Sequence, residues 1–314
     1  MKSNYRYIVK AFMAMAVIAG TTSCDDFLDR EPMSSISPET YYSTAAQLEA
    51  NLNDEYPNVL PSFGQWTYGI FGEDKGTDNQ IEVNANDRYT QDRWKVPHSE
   101  SDNWKFERIY RINFFLSEAL PKFGEDMSGS QNTISGSVAT IKHYIGEMYF
   151  LRAYEYFKKL QLFGDFPIID QPLADEMEAL REASKRFPRN EVARFIISDL
   201  DKAYAYMSDV DMATTRINKD AAMLVKSRVA LFEATWLQNF KGTAFVPGGE
   251  GWPGASLHNN YQYPSGNLDN EVKYFLEQAV EASKLVADKY KGNLTENTGV
   301  LQQSADDPSN PDRK

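Results

Sequence analysis

The sequence predicts a mainly α fold, a solenoid of stacked helix pairs whose long irregular loops form a binding face. Three observations predict it. From Pro38 onward the chain reads as six helical segments, about 41–57, 102–122, 137–162, 189–208, 217–240 and 269–291, with no convincing run of alternating apolar residues of the kind a half-buried strand shows. One helix pattern recurs: Glu191-Val-x-x-Phe195-Ile-x-x-x-Leu200-Asp201 matches Glu271-Val-x-x-Phe275-Leu-x-x-x-Val280-Glu281, 80 residues further on. The helices before these two correspond more loosely, Arg152 with Arg228, Tyr156 with Phe232 and Leu160 with Trp236. The unit is therefore helix A, long loop, helix B, and segments 41–57 and 102–122 are read as an earlier, more divergent copy. Helix pairs that stack and bury a shared apolar face make a TPR-like solenoid.

Residues 1–23 read as a signal peptide. Lys2, Arg6 and Lys10 form a positive start, and Ala11–Gly20 is an apolar run too short to span a bilayer. Cys24 is the only cysteine, so an intrachain disulfide is excluded and its presence in an exported chain needs another reason. Its place after Thr21-Thr-Ser predicts cleavage before Cys24 and acylation of its thiol and new amino group. Several acyl chains, at roughly 0.8 kcal/mol per buried CH₂, anchor stably where one is marginal. Residues 24–37 follow as a lipid-anchored linker, and 38–314 as the helical-repeat domain.

Ser37-Pro38-Glu39 supplies a cap and first turn for the opening helix. In the third helix Ile141, Tyr144, Ile145, Met148 and Leu151 recur at spacings of three and four, and Phe157 and Leu160 extend that face. Tyr149, Tyr154 and Tyr156 make this helix aromatic all round, which predicts more than one packed neighbour. Gly164 can end it in the left-handed conformation, and Pro167 cannot continue it. Asn218 is the expected cap of the fifth helix. The A-to-B connections, about 58–101, 163–188 and 241–268, are long; the B-to-A connections, about 123–136 and 209–216, are shorter. In antiparallel pairs all A-to-B loops emerge on one edge, and insertions confined to one edge form a binding face.

Three of the five Trp residues, Trp66, Trp94 and Trp252, fall in those long loops. The first loop reads Gly64-Gln-Trp-Thr-Tyr-Gly69 and then Asn84-Ala-Asn-Asp-Arg-Tyr-Thr-Gln-Asp-Arg-Trp94. Ring faces cover the C–H side of a pyranose, and neighbouring amides and charges satisfy its hydroxyls. Trp66, Tyr68, Arg88 and Trp94 are therefore the predicted ligand contacts, with Asn84 and Asp87 as polar partners. The competing assignment is that these aromatics pin a long loop to the solenoid. Trp252, in the Gly- and Pro-rich stretch 241–254, is either a ligand platform or a plug.

Several function classes are disfavoured. The net charge is −12, and −15 without residues 1–23, so there is no basic face for nucleic acid or for electrostatic docking on anionic lipid. The stretch 241–254 carries no phosphate-loop pattern. His98, His143 and His258 are scattered, HExxH is absent, and a lipidated cysteine is no nucleophile. Carboxylate pairs arise by chance among 45 acidic residues, so Glu73-Asp74 and Asp165 are no evidence for hydrolysis. The run Asp74-Lys-Gly-Thr-Asp-Asn79 lacks EF-hand spacing. The expectation is no enzyme, no cofactor and no metal.

The run Phe150-Leu-Arg-Ala-Tyr-x-Tyr-Phe-x-x-Leu-x-x-Phe-Gly-Asp-x-Pro167 resembles the signature helix of the SusD/RagB family. The start Cys24-x-x-Phe27-Leu28 resembles the mature N-terminus of such proteins, and the acidic residues beside it resemble a surface-export signal of Bacteroidetes. The resemblance implies a surface-exposed outer-membrane lipoprotein that binds a glycan or other nutrient beside a TonB-dependent, SusC-like transporter. It also implies TPR-like helix pairs beside a loop-rich binding part, with aromatic contacts from the long early loop. Family members are longer, so the domain 38–314 is expected to be incomplete at its C-terminus, where Gln302–Lys314 forms a polar loop and nothing caps the solenoid. The alternatives are a lipid-anchored TPR-type scaffold for protein or peptide, and a lipid-anchored glycan hydrolase with a carboxylate pair in a cleft.

Overall fold

The structure, a computed structural model, describes residues 41–61, 103–124, 126–208, 212 and 215–293. The chain divides into two compact units, 1–42 and 43–314, and the second holds the described helices. These are α1 (Ala45–Val59), α2 (Glu107–Phe123), α3 (Val138–Phe163), the short α4 (Met177–Ala183), α5 (Arg189–Tyr206), α6 (Lys219–Asn239) and α7 (Leu268–Tyr290). Among the described residues β pairing is limited to two isolated bridges, Thr44 with Ser135 and Phe166 with Phe187. Six of the helices follow the predicted segments; α4, inside the second long connection, is additional.

The helix ends have local causes. The Thr44 hydroxyl accepts from the Gln47 N–H, and Gln47 Oε1 accepts from the Thr44 N–H at 3.0 Å, a capping box that starts α1. Ser37-Pro38-Glu39 lies outside the described residues. Ser137, Asn218 and Asn267 cap α3, α6 and α7 through their side-chain oxygens, each contributing about 1 kcal/mol. α3 stops at Gly164, whose φ of 68° lets its N–H return to the Leu160 carbonyl at 2.9 Å.

α3 is the centre of the unit. It is buried around most of its circumference and packs against α1, α2 and α5; α5 then packs on α6, and α6 on α7. The pairs run antiparallel. Arg152 meets Asp199 and Tyr149 meets Tyr206 across α3 and α5, Arg189 meets Glu233 and Lys226 meets Asp201 across α5 and α6, and Lys289 reaches back to Asp220 across α6 and α7. α1 and α2 each lie on α3 and meet one another through Arg111 and Glu55, at 2.6 Å, so the first two helices use α3 as their common partner.

The internal repeat holds in pattern and differs in environment. Leu200 on α5 is fully buried, whereas its counterpart Val280 on α7 is 61% exposed. α5 is covered by α3 on one side and α6 on the other, while α7 rests mainly on α6. The same apolar register therefore yields a core helix in one copy and a half-covered helix in the other.

Candidate functional site

The described parts of the long connections meet at the end of α3, which supplies the frame that brings them there. The Tyr156 hydroxyl donates to the Ile169 carbonyl at 3.0 Å and accepts from the Ile169 N–H at 2.8 Å. Arg152 forks onto Asp199 (2.7 and 2.8 Å) and uses its remaining nitrogen on the Asn113 side chain and the Asp170 carbonyl, both at 2.9 Å. Segment 166–170 is thus fastened to α2 and α3 by buried donors and acceptors. Phe166 fills the space beneath, with ring centroids 4.9 Å from Trp104 and 5.2 Å from Phe106, so the described end of the first connection joins the same cluster.

Asp165 couples the second connection to the third. Its Oδ1 accepts from the Arg189 N–H at 2.8 Å, at the start of α5, and its Oδ2 accepts from Trp252 Nε1–H at 2.7 Å. Burial pushes the Asp165 carboxyl above the usual carboxylate value, and the two donors work against that rise. Trp252 is 5% exposed and stacks on His258, with centroids 6.0 Å apart. His258 Nε2 lies 2.8 Å from the Arg186 carbonyl, which ties the third connection to the second again. Trp236 Nε1–H donates to the Phe245 carbonyl at 3.0 Å, and the Arg189 guanidinium lies 4.1 Å from the Trp236 ring while paired with Glu233.

Between these parts opens a cleft of about 510 Å³. Phe163, Trp236, Phe245, Trp252 and Leu257 form its apolar walls, and Gln161 and Arg186 bring polar groups to it. Its size lies within the roughly 300–1,000 Å³ of small-molecule sites. Asp165 is the one carboxylate of the described lining, and both its oxygens hold N–H donors. A second groove of about 350 Å³, between α5 and α7, is lined by groups already paired: Arg194 with Glu271 and Asp201 with Lys226.

Of the predicted site residues, the structure describes Trp252, which it places in the cleft wall as a buried, hydrogen-bonded ring. Cys24, Trp66, Tyr68, Asn84, Asp87, Arg88 and Trp94 lie outside the described residues. Gln161, Arg186 and Phe245 escaped sequence reasoning because no spacing links them: they come from three separate segments that only the fold brings together. Phe245 did carry one signal, its position in the same Gly- and Pro-rich stretch as Trp252. Among the described residues no group of three or more His, Asp or Glu side chains is arranged to hold a metal ion.

The family model described as "Starch-binding associating with outer membrane", the SusD-like model, matches residues 26–231. The chain belongs to the SusD-like family. It is 25% identical over 253 residues to SusD-like protein P2 of Formosa agariphila, covering 77% of this chain and 46% of that protein. It is 25% identical over 233 residues to SusD-like protein P25 of the same organism, covering 68% of this chain and 41% of that one. The matches thus span less than half the length of these curated relatives. A SusD-like protein of Bacteroides fragilis NCTC 9343 superposes with a TM-score of 0.44 at 20% identity, covering 68% of this chain and 39% of its own. In this SusD-like chain the family match includes the cleft wall after α3 and stops within α6, before Trp236 and the 241–257 wall. No described helix is long and apolar enough to cross a membrane.

Proposed function

We propose that this SusD-like chain captures a glycan at the outer membrane and passes it to a TonB-dependent, SusC-like transporter without altering it. The observation that carries this reading is the family match across residues 26–231, a family described as starch-binding and associated with the outer membrane. Acylation of Cys24 anchors the chain, and the edge where the long connections meet faces the ligand. Trp66, Tyr68, Arg88 and Trp94, with Asn84 and Asp87, contribute from the first connection, and Trp252 from the third.

Affinity electrophoresis tests capture. The protein migrates through gels containing soluble starch, laminarin, xylan, mannan, polygalacturonate or alginate. Retardation by one of them, weakened by Trp66→Ala or Trp94→Ala and without release of sugar from the polymer, is the expected result. An aromatic contact worth about 1 kcal/mol corresponds to a several-fold loss of affinity for each change. Retardation by none would remove the glycan-binding assignment. Cys24→Ser is expected to abolish palmitate labelling and to move the protein from the membrane to the soluble fraction.

A further inference from the structure

We propose that the cleft between the turn at 163–165 and the loop at 244–257 is a subsite for an uncharged pyranose ring, with Phe245 as its platform and Arg186 and Gln161 as its hydroxyl-binding groups. This proposal rests on the glycan-binding function above and locates a contact site outside the first connection.

Three observations support it. Phe245 is 61% exposed although it lies in a built wall: its carbonyl is held by Trp236 Nε1–H, and its ring meets the Phe240 ring edge-on at 5.4 Å. A large aromatic held at its backbone and open at its ring is suited to cover the C–H face of a sugar. Arg186 is exposed at the cleft, and among the described residues its guanidinium makes no ion pair; it rests over the Trp104 ring at 4.6 Å, which orients the fork and leaves its N–H groups available. The charge of the site is balanced: Arg189 is paired with Glu233, which lies outside the lining, and Arg186 acts on the Asp165 carboxylate, so the site sets no net positive field for an acidic sugar.

The full chain, solubilised in detergent, is run through the same panel of gels as wild type, Phe245→Ala, Arg186→Ala and Arg186→Lys, with circular dichroism confirming that each is folded. Both side chains are exposed, so folding should survive. The expected result is retardation by a neutral glycan (starch, laminarin, xylan or mannan), with Phe245→Ala and Arg186→Ala each raising the apparent dissociation constant about five- to tenfold. Arg186→Lys should behave like Arg186→Ala, because a single ammonium cannot reproduce two parallel donors to neighbouring hydroxyls. Retardation of wild type that is unchanged in both alanine variants would overturn the subsite and leave glycan capture standing. Retardation by polygalacturonate or alginate alone, or full rescue by lysine, would overturn the uncharged-ring assignment. Absence of retardation in every gel would overturn capture and subsite together.

Discussion

At the scale of single residues, the site edge depends on a few donors and acceptors with no spare partners. Asp165 spends one oxygen on α5 and the other on Trp252. Trp252→Phe keeps the ring and removes the N–H, leaving Oδ2 without its donor in a largely buried position. The expected cost is about 1–3 kcal/mol, read as a lowered urea midpoint with unchanged slope. Glu271 behaves differently although it is also buried. Burial acts to raise its carboxyl, but donors from Arg194, Asn190 and Ser265 outweigh that and hold it below the ordinary 4.5. A lowered acid contributes stability that is fully present above its unfolded value and is lost as pH falls through the folded one. The melting temperature should therefore fall on acidification below about pH 4.5. Glu271→Gln should lower the melting temperature at pH 7, by about 2 kcal/mol of stability, and flatten that part of the acid profile. An unchanged acid profile in the variant would show that other carboxylates set it.

At the scale of elements, the contact between α3 and α5 turns on Gly146. A Cβ placed there would lie 2.7 Å from the Met207 backbone nitrogen and 2.9 Å from the Ala203 carbonyl oxygen. Gly146→Ala gains about 1 kcal/mol in helix propensity and forces apart two packed backbones, which costs more when neither can yield. A net loss of about 1–2 kcal/mol is expected in denaturant melts, together with a weaker Tyr149–Tyr206 contact in near-ultraviolet circular dichroism. The helices themselves were legible because period and caps are local: α3, α5, α6 and α7 begin and end within a few residues of where Ile141, Asn218, Gly164 and the Glu271 pattern place them. Packing partners were less so. The match of Leu200 with Val280 is a statement about one helix face, and burial is a statement about the neighbour; nothing within α7 says that its outer face is uncovered. The cleft was least legible, since Gln161, Arg186 and Phe245 meet only after the second and third connections fold against the end of α3. Trp252 was visible as an aromatic in a suspect loop, while its bond to Asp165 joins positions 87 residues apart.

At the scale of the whole unit, coverage decreases along the stack. α3 is wrapped by three helices, and α7 leaves Leu276, Val280 and Leu285 partly exposed. Such apolar surface favours self-association, so Leu276→Glu with Val280→Glu should reduce light scattering at high concentration without lowering the melting temperature measurably. The gradient has another effect. Amide protons in α3 should exchange with solvent only through global unfolding, while those in α7 escape through a cheaper partial opening. The two walls of the cleft differ in this respect: the 163–165 turn grows out of α3, and the 241–257 loop leads into α7. A sugar lodged between them would bear against one fixed jaw and one that breathes, and its release would follow the rhythm of α7.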